Sequence, residues 1–112
     1  MMILTKEAVD RVLPNCTSKP GYKILVVSDN EEMNKYILTK VRESDLKIAR
    51  QKHKTRIEYP NGSLIEIVPV NDNARGYKAN MILADHRITI EAMTEWLLPL
   101  EVMYEKTAEV NK

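Results

Sequence analysis

The apolar positions of the chain fall into short continuous runs and helix-period stripes, separated by polar turns. Thr5 stands where a helix cap is expected. Ala8, Val9, Val12 and Leu13 follow at helical spacing until Pro14 ends the segment. Asn15 to Gly21 reads as a loop. Lys23-Ile24-Leu25-Val26-Val27-Ser28 is a continuous apolar run, the pattern of a strand covered on both faces. Asp29, with Glu32 three residues on, has the spacing of a capping box. The helix it opens carries Met33, Tyr36, Ile37 and Val41 on one stripe.

Arg56-Ile57-Glu58-Tyr59 and the run Ser63 to Val68 flank Pro60-Asn61-Gly62, and Asn-Gly between two such runs predicts a hairpin because both residues tolerate positive φ. Ile57 and Tyr59 share one face, as do Ile65 and Ile67, with Glu58 and Glu66 turned outward. The loop Asn71 to Gly76 precedes a second buried-type strand, Asn80-Met81-Ile82-Leu83-Ala84-Asp85. Thr89 is the expected cap of a last helix that turns Met93, Trp96, Leu97 and Leu100 inward, and Pro99 ends or kinks it. The order helix, strand, helix, hairpin, strand, helix predicts one α/β domain over residues 1–112, a small mixed sheet with helices packed on it. Residues 106–112 are polar enough to fray.

Composition narrows this picture. A chain of 112 residues is the size of one domain, and 44% apolar content suffices for one core. Phe is absent and aromatics are 5%, so that core is built from Ile, Leu, Val and Met. Lys and Arg number 17 against 16 Asp and Glu, a net charge of +1, so electrostatic arguments rest on local clusters alone. Cys16 is the single cysteine, which excludes an internal disulfide and makes a reducing cytoplasm the expected setting. No apolar run approaches the roughly 18–20 residues that span a bilayer, and the first residues lack the pattern of a signal peptide.

One such cluster is the basic stretch Lys40 to Arg56, which contains Lys47, Arg50, Lys52, His53 and Lys54. It can lie along a nucleic-acid backbone. The plainer alternative is a solvated face, since Glu43 and Asp45 dilute the charge and no aromatics interleave for base stacking. His53 has no partner at metal-ligand spacing, and Cys16 has no evident base. Trp96 is expected in the core with Met93 and Leu100; if exposed, it becomes the first candidate for a partner contact.

Read in order, a hairpin turning at Asn61-Gly62-Ser63, the pair Arg75-Gly76, an apolar strand ending in Asp85, and the helix Ile90 to Pro99 resemble the ATPase domain of the large terminase subunit of tailed bacteriophages, the motor that drives DNA into proheads. The similarity covers about residues 21–100. It implies a truncated P-loop-ATPase-like core in which Lys23–Ser28 and Asn80–Asp85 are parallel members of one sheet. Asp85 then stands where the family places the Asp that serves the nucleotide's metal, so it is a vestigial catalytic and weak metal candidate; its plainer role is to cap the next turn. Arg75 either reaches a phosphate of a partner's nucleotide or of DNA, or stabilises its own loop.

Two departures limit what the resemblance implies. The phosphate loop is missing: Gly21, Gly62 and Gly76 are the only glycines, and none is followed by Lys. His86 follows Asp85 where the family has Glu; an imidazole can serve as a base, but only with an orienting partner. The expectation is therefore a terminase-like segment that is inactive alone, needs no cofactor of its own, and uses Mg-ATP only if a partner supplies the loop. It would act through protein contacts in or against a DNA-packaging or related ATPase complex in a host cytoplasm. The alternative is a small nucleic-acid-binding accessory protein using Lys47, Arg50, Lys52 and Lys54.

Overall fold

The computed structural model describes residues 1–42, 46–51, 54–70, 78–88 and 90–104. The expected loop Asn71 to Gly76, the Thr89 cap and the tail 106–112 lie outside the described residues. The elements are β1 (Met2–Ile3), α1 (Lys6–Val12), α2 (Asn15–Ser18), β2 (Lys23–Val27), α3 (Glu31–Val41), β3 (Lys47–Gln51), β4 (Lys54–Glu58), β5 (Leu64–Val68), β6 (Met81–Ala84) and the helical turn α4 (Ile90–Ala92). The strands form one six-stranded mixed sheet in the order β1-β6-β2-β5-β4-β3. β1, β6, β2 and β5 run parallel; β4 and β3 add antiparallel at one edge. Among the described residues no helix is long and apolar enough to cross a membrane.

The continuous apolar run of β2 is explained by its central place, because both its faces are covered. Ile24 and Val26 meet Ala8, Val9, Val12, Ile37 and Val41 from the helices on one face, while Leu25 and Val27 join Val68, Ile82, Ala84 and Leu97 on the other. Thr5 caps α1 as expected, its hydroxyl accepting from the Ala8 N–H at 3.0 Å. The stripe on α3 also holds, with Ile37 and Val41 buried and Met33 and Tyr36 packed against them. The Tyr36 hydroxyl donates to Asp10 at 2.7 Å and ties α3 to α1.

Several expectations are corrected. The cap of α3 is Asn30, whose side chain accepts from the Met33 N–H. Ser28 Oγ accepts from the Asn30 N–H at 3.0 Å, so the turn after β2 takes one residue more than the capping-box spacing allows. Asp29 instead accepts from the Val70 N–H. The segment expected as loop after Pro14 winds into α2. β1 and β3 were not expected: the first is two residues long, and the second, Lys-Ile-Ala-Arg-Gln, shows no apolar alternation. The last helix is one α turn, a π turn over Met93–Leu97 and a 3-10 turn over Leu98–Leu100 that contains Pro99. The wider π winding moves Trp96 off the inward stripe; it is 61% exposed, whereas Leu97 is buried.

The hairpin forms as read, with Ile57, Ile65 and Ile67 buried on one face and Glu58 exposed. Gly62 takes φ +88° at the turn, which only glycine adopts cheaply. Ser63 is 1% exposed; its hydroxyl accepts from the Tyr22 N–H at 3.1 Å and donates to the Lys19 carbonyl at 3.0 Å. Asn61 donates to the Cys16 carbonyl at 2.8 Å. The turn is thereby bolted to the segment leading into β2. Ser63→Ala removes two buried hydrogen bonds, while the Tyr22 N–H keeps the Lys19 carbonyl at 3.2 Å, and should cost about 1–3 kcal/mol, read as a shift of the urea midpoint at unchanged slope.

Candidate functional site

In open α/β sheets, ligands sit outside the carboxyl ends of parallel strands. Here those ends gather Ser28 after β2, Asp85 after β6 and Val70 after β5. The Asp85 N–H donates to the Val27 carbonyl at 2.9 Å and fixes the residue beside β2. Asp85 is 2% exposed, and both carboxylate oxygens are engaged. Oδ1 accepts from the Arg87 backbone N–H at 3.0 Å and from Arg87 Nε at 3.3 Å, and Oδ2 accepts from Arg87 Nη2 at 3.1 Å. The Asp85 carbonyl also accepts from the Ile88 N–H. Asp85 thus closes the turn that follows its strand, the plainer of its two expected roles.

The Arg87 side-chain hydrogen bonds hold the Asp85 carboxyl below its usual range, outweighing the opposing effect of burial. His86 Nδ1 lies 3.3 Å from Asp85 Oδ1, on a side chain 72% exposed. That carboxylate is the partner an orienting role requires, but it is already shared with Arg87. Asn34 reaches the same strand end, its Nδ2 donating to the Ser28 carbonyl at 3.4 Å, while its Oδ1 is buried without a hydrogen-bond partner among the described residues.

A nucleotide's magnesium is the metal the resemblance implies, and the described end of β6 brings it one carboxylate, Asp85, which Arg87 already bonds on both oxygens. Among the described residues no group of three His, Cys, Asp or Glu side chains is placed to hold an ion by itself. Arg75, Lys52 and His53 lie outside the described residues.

The basic stretch is divided by the sheet. β3 and β4 pair so that Lys47 faces Glu58, Ala49 faces Arg56 and Arg50 faces Thr55. Alternation puts Lys47, Lys54 and Arg56 on one face and Arg50 on the other, beside Ile48 and Ile57. Arg56 is matched by Glu58 at 2.8 Å and by Glu66 at 3.9 Å. The described part of the stretch therefore makes no single-sign face.

Cys16 is fully buried, and burial pushes its thiol up to about 12. The thiolate, the nucleophilic form, is negligible at neutral pH. A cleft of about 290 Å³ opens between Asp10, Leu13, Thr17, Lys40 and Tyr59, away from the strand ends. Sequence reasoning missed Arg87, whose signal was its place two residues after an Asp that ends a strand. It also missed the exposed apolar side chains Leu98, Val102 and Met103, at 48%, 41% and 86% exposure, which follow Trp96. They sit on a segment anchored by Leu97 in the core and by the Val102 N–H on the Ala79 carbonyl at 2.7 Å.

No family model matches the chain, and no curated protein or solved structure matches it.

Proposed function

We propose that the chain is a terminase-like α/β segment that does not turn over nucleotide by itself and works by docking onto a protein of a DNA-packaging or related ATPase complex. The carrying observation is the state of Asp85. It follows a strand that runs parallel to β2 in one sheet, the arrangement the resemblance demands, yet Arg87 already bonds both of its oxygens. With no glycine followed by lysine, the sequence offers no cradle for a triphosphate either. The site keeps an architecture and lacks its chemistry.

The docking half of the reading rests on Trp96, an aromatic side chain of the kind that dominates interface energetics, exposed on an anchored segment with Leu98 and Met103. The rival nucleic-acid reading draws less support, because a phosphate backbone approaching either face of β3 and β4 meets split or neutralised cations.

Two measurements test the proposal. The pure chain with magnesium and ATP should give no phosphate release above background; robust turnover abolished by Asp85→Ala overturns the first half. Capture by an intact large-terminase ATPase should weaken about 30-fold or more on Trp96→Ala, the effect of losing a hot spot, while unfolding stability shifts by less than about 0.5 kcal/mol. Unchanged capture overturns the second half.

A further inference from the structure

β3 closes one edge of the sheet, and among the described residues its only strand neighbour is β4. Lys47, Ile48, Ala49 and Arg50 are all exposed, Ile48 at 37%, so the strand offers both faces as well as its outer edge. An edge of this kind presents a row of N–H and C=O groups ready to pair with another chain.

We infer that the outer edge of β3 takes an acidic extended segment of another protein as an added strand, with two carboxylates three positions apart matched to Lys47 and Arg50. Neither cation has an ion-pair partner among the described residues; Glu58, which faces Lys47 across the ladder, is held by Arg56. Because Lys47 and Arg50 are three positions apart on an alternating strand, they point to opposite faces. A groove-type ligand meets one of them. An added strand meets both, since its own side chains alternate in the same way.

Charge also decides against a second copy of the chain. Two β3 edges paired antiparallel set Lys47 against Lys47 or Arg50 against Arg50 in the registers centred on those residues, and in any other register they offer neither cation a carboxylate, since β3 carries none. The same two charges that deter self-association select an acidic partner. Ile48 lies between them and favours an apolar residue opposite it. The fitting motif is acid–x–apolar–acid for an antiparallel segment and acid–apolar–x–acid for a parallel one.

The probe is a capped synthetic peptide of eight residues, with glutamates at its third and sixth positions, valines between them and threonines elsewhere. Titrated into the labelled chain, it should move the backbone amide resonances of β3 and leave those of β2 and β6 in place. A control peptide with glutamates at the fourth and sixth positions puts both acids on one face and should bind about threefold more weakly. The Lys47→Glu, Arg50→Glu double variant should lose about tenfold in affinity and should prefer the same peptide carrying lysines for glutamates. All of these positions are exposed, so the variant keeps its fold; the milder Lys47→Ala, Arg50→Ala pair gives a second reading. Equal binding of both peptides, insensitivity to charge reversal, or tighter binding of duplex DNA through the same amides overturns the inference.

Discussion

Ile65→Ala should lower the unfolding free energy by about 2–5 kcal/mol, measured by urea denaturation at unchanged slope. Ile65 is fully buried on β5, the strand at which the parallel and antiparallel parts of the sheet join. In register it faces Ile24 on β2 and Ile57 on β4, both also buried. Truncation removes contacts to both neighbours and to the helix-covered core above them, and none of these strands can close the gap without breaking its ladder. Since a domain of this size is stable by about 5–15 kcal/mol, the loss is a large share of the whole. Ile65→Val, which removes one methylene, should cost only about 0.5–1.5 kcal/mol. A cost below about 1 kcal/mol for the alanine variant would mean that β5 is not a central strand.

The difference between what the sequence disclosed and what it hid follows from how each element gains its stability. β2, β5 and β6 are held by burial, and burial leaves a mark in composition: uninterrupted Ile, Leu and Val in β2, and alternation at Ile57, Ile65 and Ile67 in the hairpin. Those strands could be read from the residues, as could the turn at Asn61-Gly62. β3 is held by its ladder to β4 and exposes both faces, so its residues carry no apolar signature. β1 is too short to carry one. The last helix failed for a different reason. Its heptad-like stripe was real for Met93, Leu97 and Leu100, but a π turn preceding Pro99 changes the winding, and periodicity at 3.6 residues cannot anticipate that.

The candidate site shows the same division. That Asp85 follows a buried strand was legible from the run Met81 to Ala84; that this strand runs parallel to β2 was an implication of the resemblance, and that the two are neighbours was not foreseen. That the Asp85 carboxylate is spoken for was not legible either, because nothing in the sequence assigns the decisive residue, Arg87, a role of its own. An Asp followed two residues later by Arg is compatible with a free acid or a locked one, and only the backbone path between them distinguishes the two. Likewise the charge count along Lys40 to Arg56 was correct, yet the pleat distributes Lys47 and Arg50 to opposite faces, which turns an apparent patch into two separate cations.

Asp85→Ala should destabilise the chain by about 2 kcal/mol, as expected for a buried acceptor of charge-assisted hydrogen bonds whose partner can return to water. Arg87 is 59% exposed in its side chain, so its guanidinium is resolvated when the carboxylate goes, whereas its backbone N–H loses its bond outright. Arg87→Ala tests the pair from the other side: it leaves a carboxylate that is 1% exposed without its charge partner, and its cost should equal or exceed that of Asp85→Ala. The pH dependence gives an independent check. The folded carboxyl is depressed relative to its unfolded value of about 3.9, so the pair's contribution is fully present above that value and is lost as pH falls through the folded one. Stability of the wild-type chain should therefore fall more steeply than that of Asp85→Asn as pH drops below the ordinary carboxylate range, and the two curves should run parallel above about pH 5. If instead the two acid limbs coincide, Asp85 gains nothing from Arg87 on folding. Its carboxylate would then be free to meet a cation, and the reading of this strand end as architecture without chemistry would have to be given up.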